Sequence, residues 1–272
     1  MKCEICGGPA AYDFSKTFDE FGLGKVDYWR CADCGFVLSK THAEMSPAAW
    51  SEMNRLTHET YQGQEENLLD PRWKSRLAAQ ARALAELAGV GLLDAGGRWL
   101  DYGCGDGALS DLVAGHGLTL LKHDEYMAAG DDYLSKGALA PGAFDFVITT
   151  SVLEHLTRRA QWDAVEALVA PDGALGVSTL VAERVPRDPD WFYLQPPHCA
   201  FFSNAAMARL FDDWGYRASV YSVAASLWVW FREDPAEVER KVARLNAQAA
   251  EPYHFKPGFM DYWKVDPRRR EA

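Results

Sequence analysis

Three sets of residues in this 272-residue chain have types and spacings suited to chemistry. The first is Cys3-x-x-Cys6 and Cys31-x-x-Cys34, two pairs with 24 residues between them. Four thiolates at this spacing suit one tetrahedral Zn²⁺ in a closed, structural site. Disulfides would need an oxidising compartment, and a redox Cys-x-x-Cys would need one pair only. The second set is Asp101-x-Gly103-x-Gly105-x-Gly107, between apolar Trp99-Leu100 and a helical pattern starting at Ala108. Glycine lets the backbone turn sharply and approach a ligand, and the following helix N-terminus offers free N–H groups. The third set is two histidines, His155 in Val152-Leu-Glu-His-Leu156 and His198 in Pro196-Pro-His-Cys-Ala-Phe-Phe-Ser203. Each is suited to accept a proton near neutral pH, and each is equally suited to ordering its own loop.

Charge separates the ligands that the glycine turn would accept. Gly103-x-Gly105-x-x-Ala108 satisfies the loose dinucleotide spacing, so a nicotinamide cofactor is compatible with the glycines alone. Asp101 at the mouth of the turn would repel a pyrophosphate and suit a ligand carrying an ammonium and a sulfonium. A structural Gly-rich turn is the bland alternative. The whole chain carries 28 basic and 39 acidic residues, a net charge of −11, which argues against broad adhesion to nucleic acid or anionic membrane. Residues 1–40 hold five Lys/Arg and six Asp/Glu, so the cysteine segment lacks the basic character that phosphate tracking requires. The first residues show no apolar signal core, and no uncharged run is long and unbroken enough to span a bilayer, so the expectation is a cytoplasmic protein.

The elements that must position these residues follow from patterning. Asp70-Pro71 opens a helix to about Ala88, with Leu77, Ala81, Leu84 and Leu87 on one face. Trp99–Asp101 reads as a first strand and Leu118–Asp124 as a second. Asp131–Leu134 reads as a third strand or its remnant, and Phe144–Thr149 as a fourth. Trp162–Val169 reads as a helix ended by a turn at Ala170-Pro-Asp-Gly173, with a fifth strand over Ala174–Thr179. Trp191–Ser203 reads as an aromatic loop before a helix capped by Ser203 or Asn204. Strands follow at Gly215–Tyr221 and Ala225–Arg232, then a charged helix from Asp234 and an aromatic tail.

The glycine segment resembles motif I of the class I S-adenosylmethionine-dependent methyltransferases. Phe144-Asp-Phe-Val…Ser151-Val-Leu-Glu-His-Leu156 and Leu168-Val-Ala-Pro-Asp-Gly-Ala-Leu175 resemble that family's fourth- and fifth-strand segments. The resemblance covers about residues 70–232 and implies an α/β fold, a Rossmann-like seven-stranded mostly parallel sheet with helices on both faces, here preceded by a zinc ribbon. It implies S-adenosylmethionine held by Asp101, Gly103 and Gly105, with Asp124 (or Glu125) on the ribose hydroxyls. Asp132 and Tyr133 would lie by the adenine, Ser151 and Val152 would line the site, and Tyr61 would reach in from a preceding segment. His198 or His155 would be the general base.

The expected order is a zinc ribbon over 1–40 (metal ligands Cys3, Cys6, Cys31 and Cys34), a linker or lid over 41–70, the methyltransferase domain over 71–232, and a C-terminal helix and aromatic tail over 233–272. The ribbon ahead of this domain also resembles sugar C-methyltransferases of nucleotide-linked deoxysugars. Those carry a further C-terminal domain not seen here, so a sugar acceptor is implied without implying transfer to carbon. The expected activity is methyl transfer to a small-molecule or sugar-containing acceptor, at a hydroxyl. The alternatives are a zinc-ribbon RNA methyltransferase and a nicotinamide-dependent oxidoreductase. Neither nucleic acid nor membrane is expected as a partner, and homodimer formation is left open.

Overall fold

The computed structural model describes residues 1–61, 72–127 and 130–261, without the side chains of 58–61. In chain order these form β1 (Ala10–Phe18), β2 (Gly24–Cys31), β3 (Val37–Ser39), α1 (Lys40–Ala43), α2 (Pro47–Tyr61), α3 (Trp73–Gly89), β4 (Trp99–Tyr102), α4 (Ala108–Ala114), β5 (Leu120–His123) and β6 (Phe144–Thr150). There follow α5 (Arg159–Glu166), β7 (Val169–Ser178), β8 (Val181–Ala182), β9 (Ala200–Ser203), α6 (Asn204–Asp213), β10 (Ala218–Ser222), β11 (Leu227–Phe231), α7 (Pro235–Asn246) and β12 (Tyr253–Pro257). No helix of the described residues is long and apolar enough to cross a membrane.

The chain divides into two compact units. The first comprises 1–69, 152–163 and 180–210; the second comprises 70–151, 164–179 and 211–272. The cysteine-bearing strands therefore belong to a unit that also takes two segments from between 71 and 232. The reason is backbone pairing: β3 hydrogen-bonds β2 on one side and β9 on the other, both antiparallel. The sheet runs β1-β2-β3-β9-β8, and its last pair is parallel. Phe14, Tyr28, Val37, Leu194 and Phe201 pack on it as a core, with the Phe14 and Tyr28 rings stacked at 5.0 Å. Phe36, Trp162 and Phe202 form a second aromatic group with centroids 5.2–5.8 Å apart. Each such pair adds about 0.5–1.5 kcal/mol beyond its buried area.

The second unit is built on a seven-stranded sheet of order β12-β10-β11-β7-β6-β4-β5. Strands β5, β4, β6 and β7 are mutually parallel, while β11 runs antiparallel to both β7 and β10. Phe146, Val147 and Ile148 are all fully buried, as expected for a parallel strand covered on both faces. Ala81, Leu84 and Leu87 of α3 join the same core, the face that their spacing predicts.

Three local expectations differ from what is observed. The third strand is reduced to a single parallel bridge, Lys122↔Tyr133, and the sheet reaches seven strands through β12 on its opposite edge, antiparallel to β10. Helix α5 starts at Arg159 and stops at Glu166, earlier than the apolar pattern indicates. Ala170–Gly173 does not precede its strand but bulges within it, since Phe144 pairs with Val169 and Phe146 with Ala174. A Cβ at Gly173 would lie 2.8 Å from the Asp145 carbonyl oxygen, so the bulge requires glycine there.

Candidate functional site

In the second unit, β4 pairs with β5 on one side and β6 on the other, and all three run the same way. The chain order reverses at this pair, and ligands of open α/β sheets bind at the carboxyl ends of such a switch point. The glycine turn leaves β4 there. Gly103, Gly105 and Gly107 have φ of 75°, 56° and 80°, conformations that a side chain would strain. Two amides of the turn, Gly103 N–H and Cys104 N–H, donate to the His123 carbonyl at 2.8 and 3.1 Å. A third, Gly105 N–H, donates to the Asp124 carboxylate at 2.9 Å.

Asp124 is buried, and its other oxygen accepts from Tyr126 N–H and Met127 N–H at 2.8 and 2.9 Å. Three backbone donors thus fix this carboxylate, which makes Asp124 first of all a clamp between the glycine turn and the loop after β5. Tyr133 closes the same turn by donating its hydroxyl to the Gly105 carbonyl at 2.8 Å. Asp132 is exposed and pairs with Lys122 at 3.0 Å, and Lys122 also pairs with Asp111 at 3.0 Å. The sequence-predicted residues Asp101, Gly103, Gly105, Asp124, Asp132 and Tyr133 are therefore gathered around one turn.

Asp101 differs from the others. It is 2 % exposed, and its Oδ1 has no hydrogen-bond partner among the described residues. Burial, with Asp124 and Asp106 nearby, raises its pKa from the usual 3.8 to about 7. The Cys104 thiol is pushed up to about 12, by burial first and then by Asp101 and Asp124. A buried, unpartnered carboxyl in a negative setting fits a cationic ligand group and opposes a pyrophosphate.

At the end of β6, Ser151 has φ 55°, left-handed backbone uncommon for a residue with a side chain, and its N–H donates to Ser178 at 2.8 Å. Strain of this kind costs of order 1–3 kcal/mol and clusters at functional sites. Gln80 on α3 is fully buried and donates to the Ser178 hydroxyl and the Ala225 carbonyl at 3.1 and 3.2 Å. No motif marks Gln80 in the sequence, and only its polar type amid the apolar helix face offered a signal. Tyr61 ends α2, and its side chain lies outside the described residues.

The histidines belong to the first unit, and Val152 opens the 3-10 turn Leu153–His155 that carries one of them. His155 and His198 face each other with ring centroids 5.0 Å apart and planes at 83°. His198 Nδ1 lies 2.9 Å from the Tyr193 carbonyl oxygen. A carbonyl only accepts, so Nδ1 carries the proton and the Nε2 lone pair is left for chemistry. Burial lowers the His198 pKa, favouring the neutral ring. The hydroxyl of Tyr193 donates to Glu154 Oε1 at 2.5 Å, and Glu154 is fully buried.

Buried His42 steadies the segment before His198. Its Nε2 lies 2.9 Å from the Pro196 carbonyl and its Nδ1 2.6 Å from Ser39 Oγ, and burial pulls its pKa down to about 4. The Cys199 thiol donates to the Glu154 carbonyl at 3.2 Å and is raised well above its usual pKa by burial, a packing residue and not a nucleophile. Sequence reasoning missed Tyr193 as the partner of both Glu154 and His198. Nothing in the one-dimensional pattern pairs residues 154 and 193.

The four N-terminal cysteines converge as their spacing predicts. Sγ–Sγ separations are 3.7 Å for Cys3–Cys34 and 3.5 Å for Cys6–Cys31, and all four sulfurs lie within 4.8 Å of one another. Thiolates at about 2.3 Å from a tetrahedral zinc would be about 3.8 Å apart, so the set fits that ion. Both knuckles close alike: Gly7 N–H donates to the Cys3 carbonyl at 3.0 Å, and Gly35 N–H to the Cys31 carbonyl at 3.1 Å.

A parallel switch-point sheet, its glycine turn and a buried acid at the end of the first strand define a class I S-adenosylmethionine-dependent methyltransferase. A family model described as a methyltransferase domain matches residues 72–219, more than half of the chain, and the protein belongs to that family. Similar solved structures include a magnesium protoporphyrin IX methyltransferase from Synechocystis PCC 6803 with bound SAH, at 19% identity over 67% of this chain and 95% of that one, TM-score 0.45. Another is the 1,6-didemethyltoxoflavin-N1-methyltransferase of Burkholderia thailandensis, at 14% identity over 75% of this chain and 98% of that one, TM-score 0.45. Likeness at this level says nothing about the acceptor. No curated protein matches the chain.

Proposed function

We propose that this methyltransferase acts on a hydroxyl of a small-molecule or sugar-containing acceptor. The single observation that carries the donor site is the buried, unpartnered Oδ1 of Asp101 in the wall of a positive-φ glycine turn. Asp101 would take the donor's ammonium, Gly103 and Gly105 would admit its close approach, and Asp124 would accept from the ribose hydroxyls while holding the turn in shape. Tyr133 and Asp132 would border the adenine, and Ser151 and Val152 would line the methyl end. S-Adenosylmethionine, when bound, supplies a methyl group already activated by its sulfonium. The protein's remaining tasks are alignment and removal of the acceptor's proton.

His198 is the proton acceptor this reading favours, because its Nδ1–H is tied to a backbone carbonyl and its Nε2 is the basic nitrogen. His155, at 5.0 Å between ring centroids, is the second candidate. The acidity of the chain supports a small acceptor over RNA. Zn²⁺ held by Cys3, Cys6, Cys31 and Cys34 would be structural, since four thiolates leave no open position. Calorimetric titration with S-adenosylmethionine, NAD and NADP tests the donor. Tritiated-methyl incorporation into a cell extract, split into RNA, protein and small-molecule fractions, tests the acceptor. Label in the RNA fraction would overturn this reading of the acceptor, and binding of NAD in place of S-adenosylmethionine would overturn that of the donor.

A further inference from the structure

The first unit contains a second convergence of metal-binding side chains, chemically unlike the cysteines. One ligand atom each from Glu154, His155 and His198 lies within 4.8 Å of the other two. Around a single ion at about 2.0–2.2 Å, such nitrogen and oxygen ligands sit about 3.3 Å apart, a closure that side-chain rotation can reach. Three features point to a built site.

Tyr193 holds two of the three ligands at once, through its hydroxyl on Glu154 at 2.5 Å and its carbonyl on His198 Nδ1 at 2.9 Å. Metal-ligating histidines almost always donate their second ring N–H to a carbonyl or carboxylate, which fixes the tautomer and aims the other nitrogen. The His198 arrangement is of that kind. The imidazoles of His155 and His198 meet nearly at right angles, so their nitrogens can converge on one point without the rings stacking. Glu154 and His198 are buried, while His155 is half-buried.

We propose that Glu154, His155 and His198 form a binding site for a divalent transition-metal ion, separate from the cysteine site. Two imidazoles and one carboxylate suit zinc, iron(II) and cobalt(II) and not calcium or magnesium, which prefer all-oxygen shells. Three protein ligands leave at least one coordination position open, where an oxygen of the acceptor can bind. The ion occupies the His198 lone pair, so a loaded site and His198 acting as base exclude each other within one molecule. The inference leaves the donor site untouched, and a second ion in the native protein would displace the reading of His198 as the base.

The test uses the full chain, stripped of metal, refilled with Zn²⁺ or with Co²⁺ alone and freed of excess ion. Elemental analysis should find two ions per chain in the native protein and one in Glu154→Gln and in His155→Gln. The Co²⁺ form of each variant should keep the thiolate charge-transfer band of the cysteine site. Tyr193→Phe should still bind two ions, with the dissociation constant of the second raised roughly 10–100-fold, as for loss of an outer-shell partner. One ion in the native protein overturns the proposal. Two ions held with unchanged affinity by both ligand variants overturn it equally, since the second ion then sits elsewhere. His155 is half-buried, so its variant should fold even where Glu154→Gln does not, and circular dichroism checks each.

Discussion

The Tyr193 hydroxyl donates to the Glu154 carboxylate at 2.5 Å, across 39 residues of sequence, while the same tyrosine's carbonyl holds His198 Nδ1 at 2.9 Å. A hydrogen bond to a charged group contributes about 1.5–3 kcal/mol. Tyr193→Phe removes the hydroxyl and keeps the carbonyl. It should lower kcat by about 10–100-fold and leave the dissociation constant of S-adenosylmethionine, read by calorimetry, unchanged. An unaltered kcat would show that the Tyr193–Glu154 bond has no part in positioning the histidines for transfer.

His198→Gln probes the proton acceptor directly. General-base assistance contributes about 10²–10⁴-fold, so kcat should drop by that factor while donor affinity stays within twofold of the native value. Steady-state kinetics combined with donor titration separates the two effects. If turnover is retained, His198 is not the proton acceptor.

Asp101 links donor binding to pH. Its pKa in the fold, about 7, lies above the usual 3.8, so ionising it opposes folding. Stability is unaffected below about pH 4 and declines as pH rises from there through 7. Asp101→Asn should therefore melt higher than the native protein at pH 8 and at nearly the same temperature near pH 4. A bound ammonium reverses the preference and favours the carboxylate. At pH 6 donor binding should release close to one proton, and affinity should weaken up to about tenfold per unit as pH falls below 7. Calorimetry in two buffers of different ionisation heat measures that proton. Asp101→Ala should bind at least about tenfold more weakly and release none.

The glycine turn, the buried run Phe144–Thr149 and the four cysteines were legible in the sequence because each is set by local rules: positive φ, apolar continuity and ligand spacing. The convergence of His155 with His198 was not, since it depends on the chain returning through β9 to pair with β3. Asp124 was legible as an acid at a strand end, whereas its three backbone donors emerge only once the turn and the loop after β5 are folded together. The strand β12 was hidden in the aromatic tail, where Tyr253–Pro257 lacks a clean alternation and pairs only because β10 presents an open edge.

Asp124→Ala should act through the turn. Losing the acceptor for Gly105, Tyr126 and Met127 N–H should weaken donor binding at least tenfold. It should also speed hydrogen exchange at the Gly105 amide by a similar factor. Weaker binding with unchanged exchange would place Asp124 on the donor and not on the loop.

Removing the zinc should loosen more than the first forty residues. β3 carries the cysteine segment into a five-stranded sheet that includes β9, and the Arg159 guanidinium donates to the Ile5 carbonyl at 3.0 Å. Without the ion, four clustered thiols replace a coordinated centre, and the cysteine knuckles lose the folding free energy that metal binding supplies. Chelation should therefore open protease sites both within 1–40 and within 180–203. Residues 72–127 should stay protected, because their seven-stranded sheet takes no strand from the other. Cys31→Ser should reproduce the pattern without chelator. If limited proteolysis followed by mass spectrometry finds 180–203 as resistant as before, the β3–β9 pairing is stable without metal and the cysteines hold only their own knuckles.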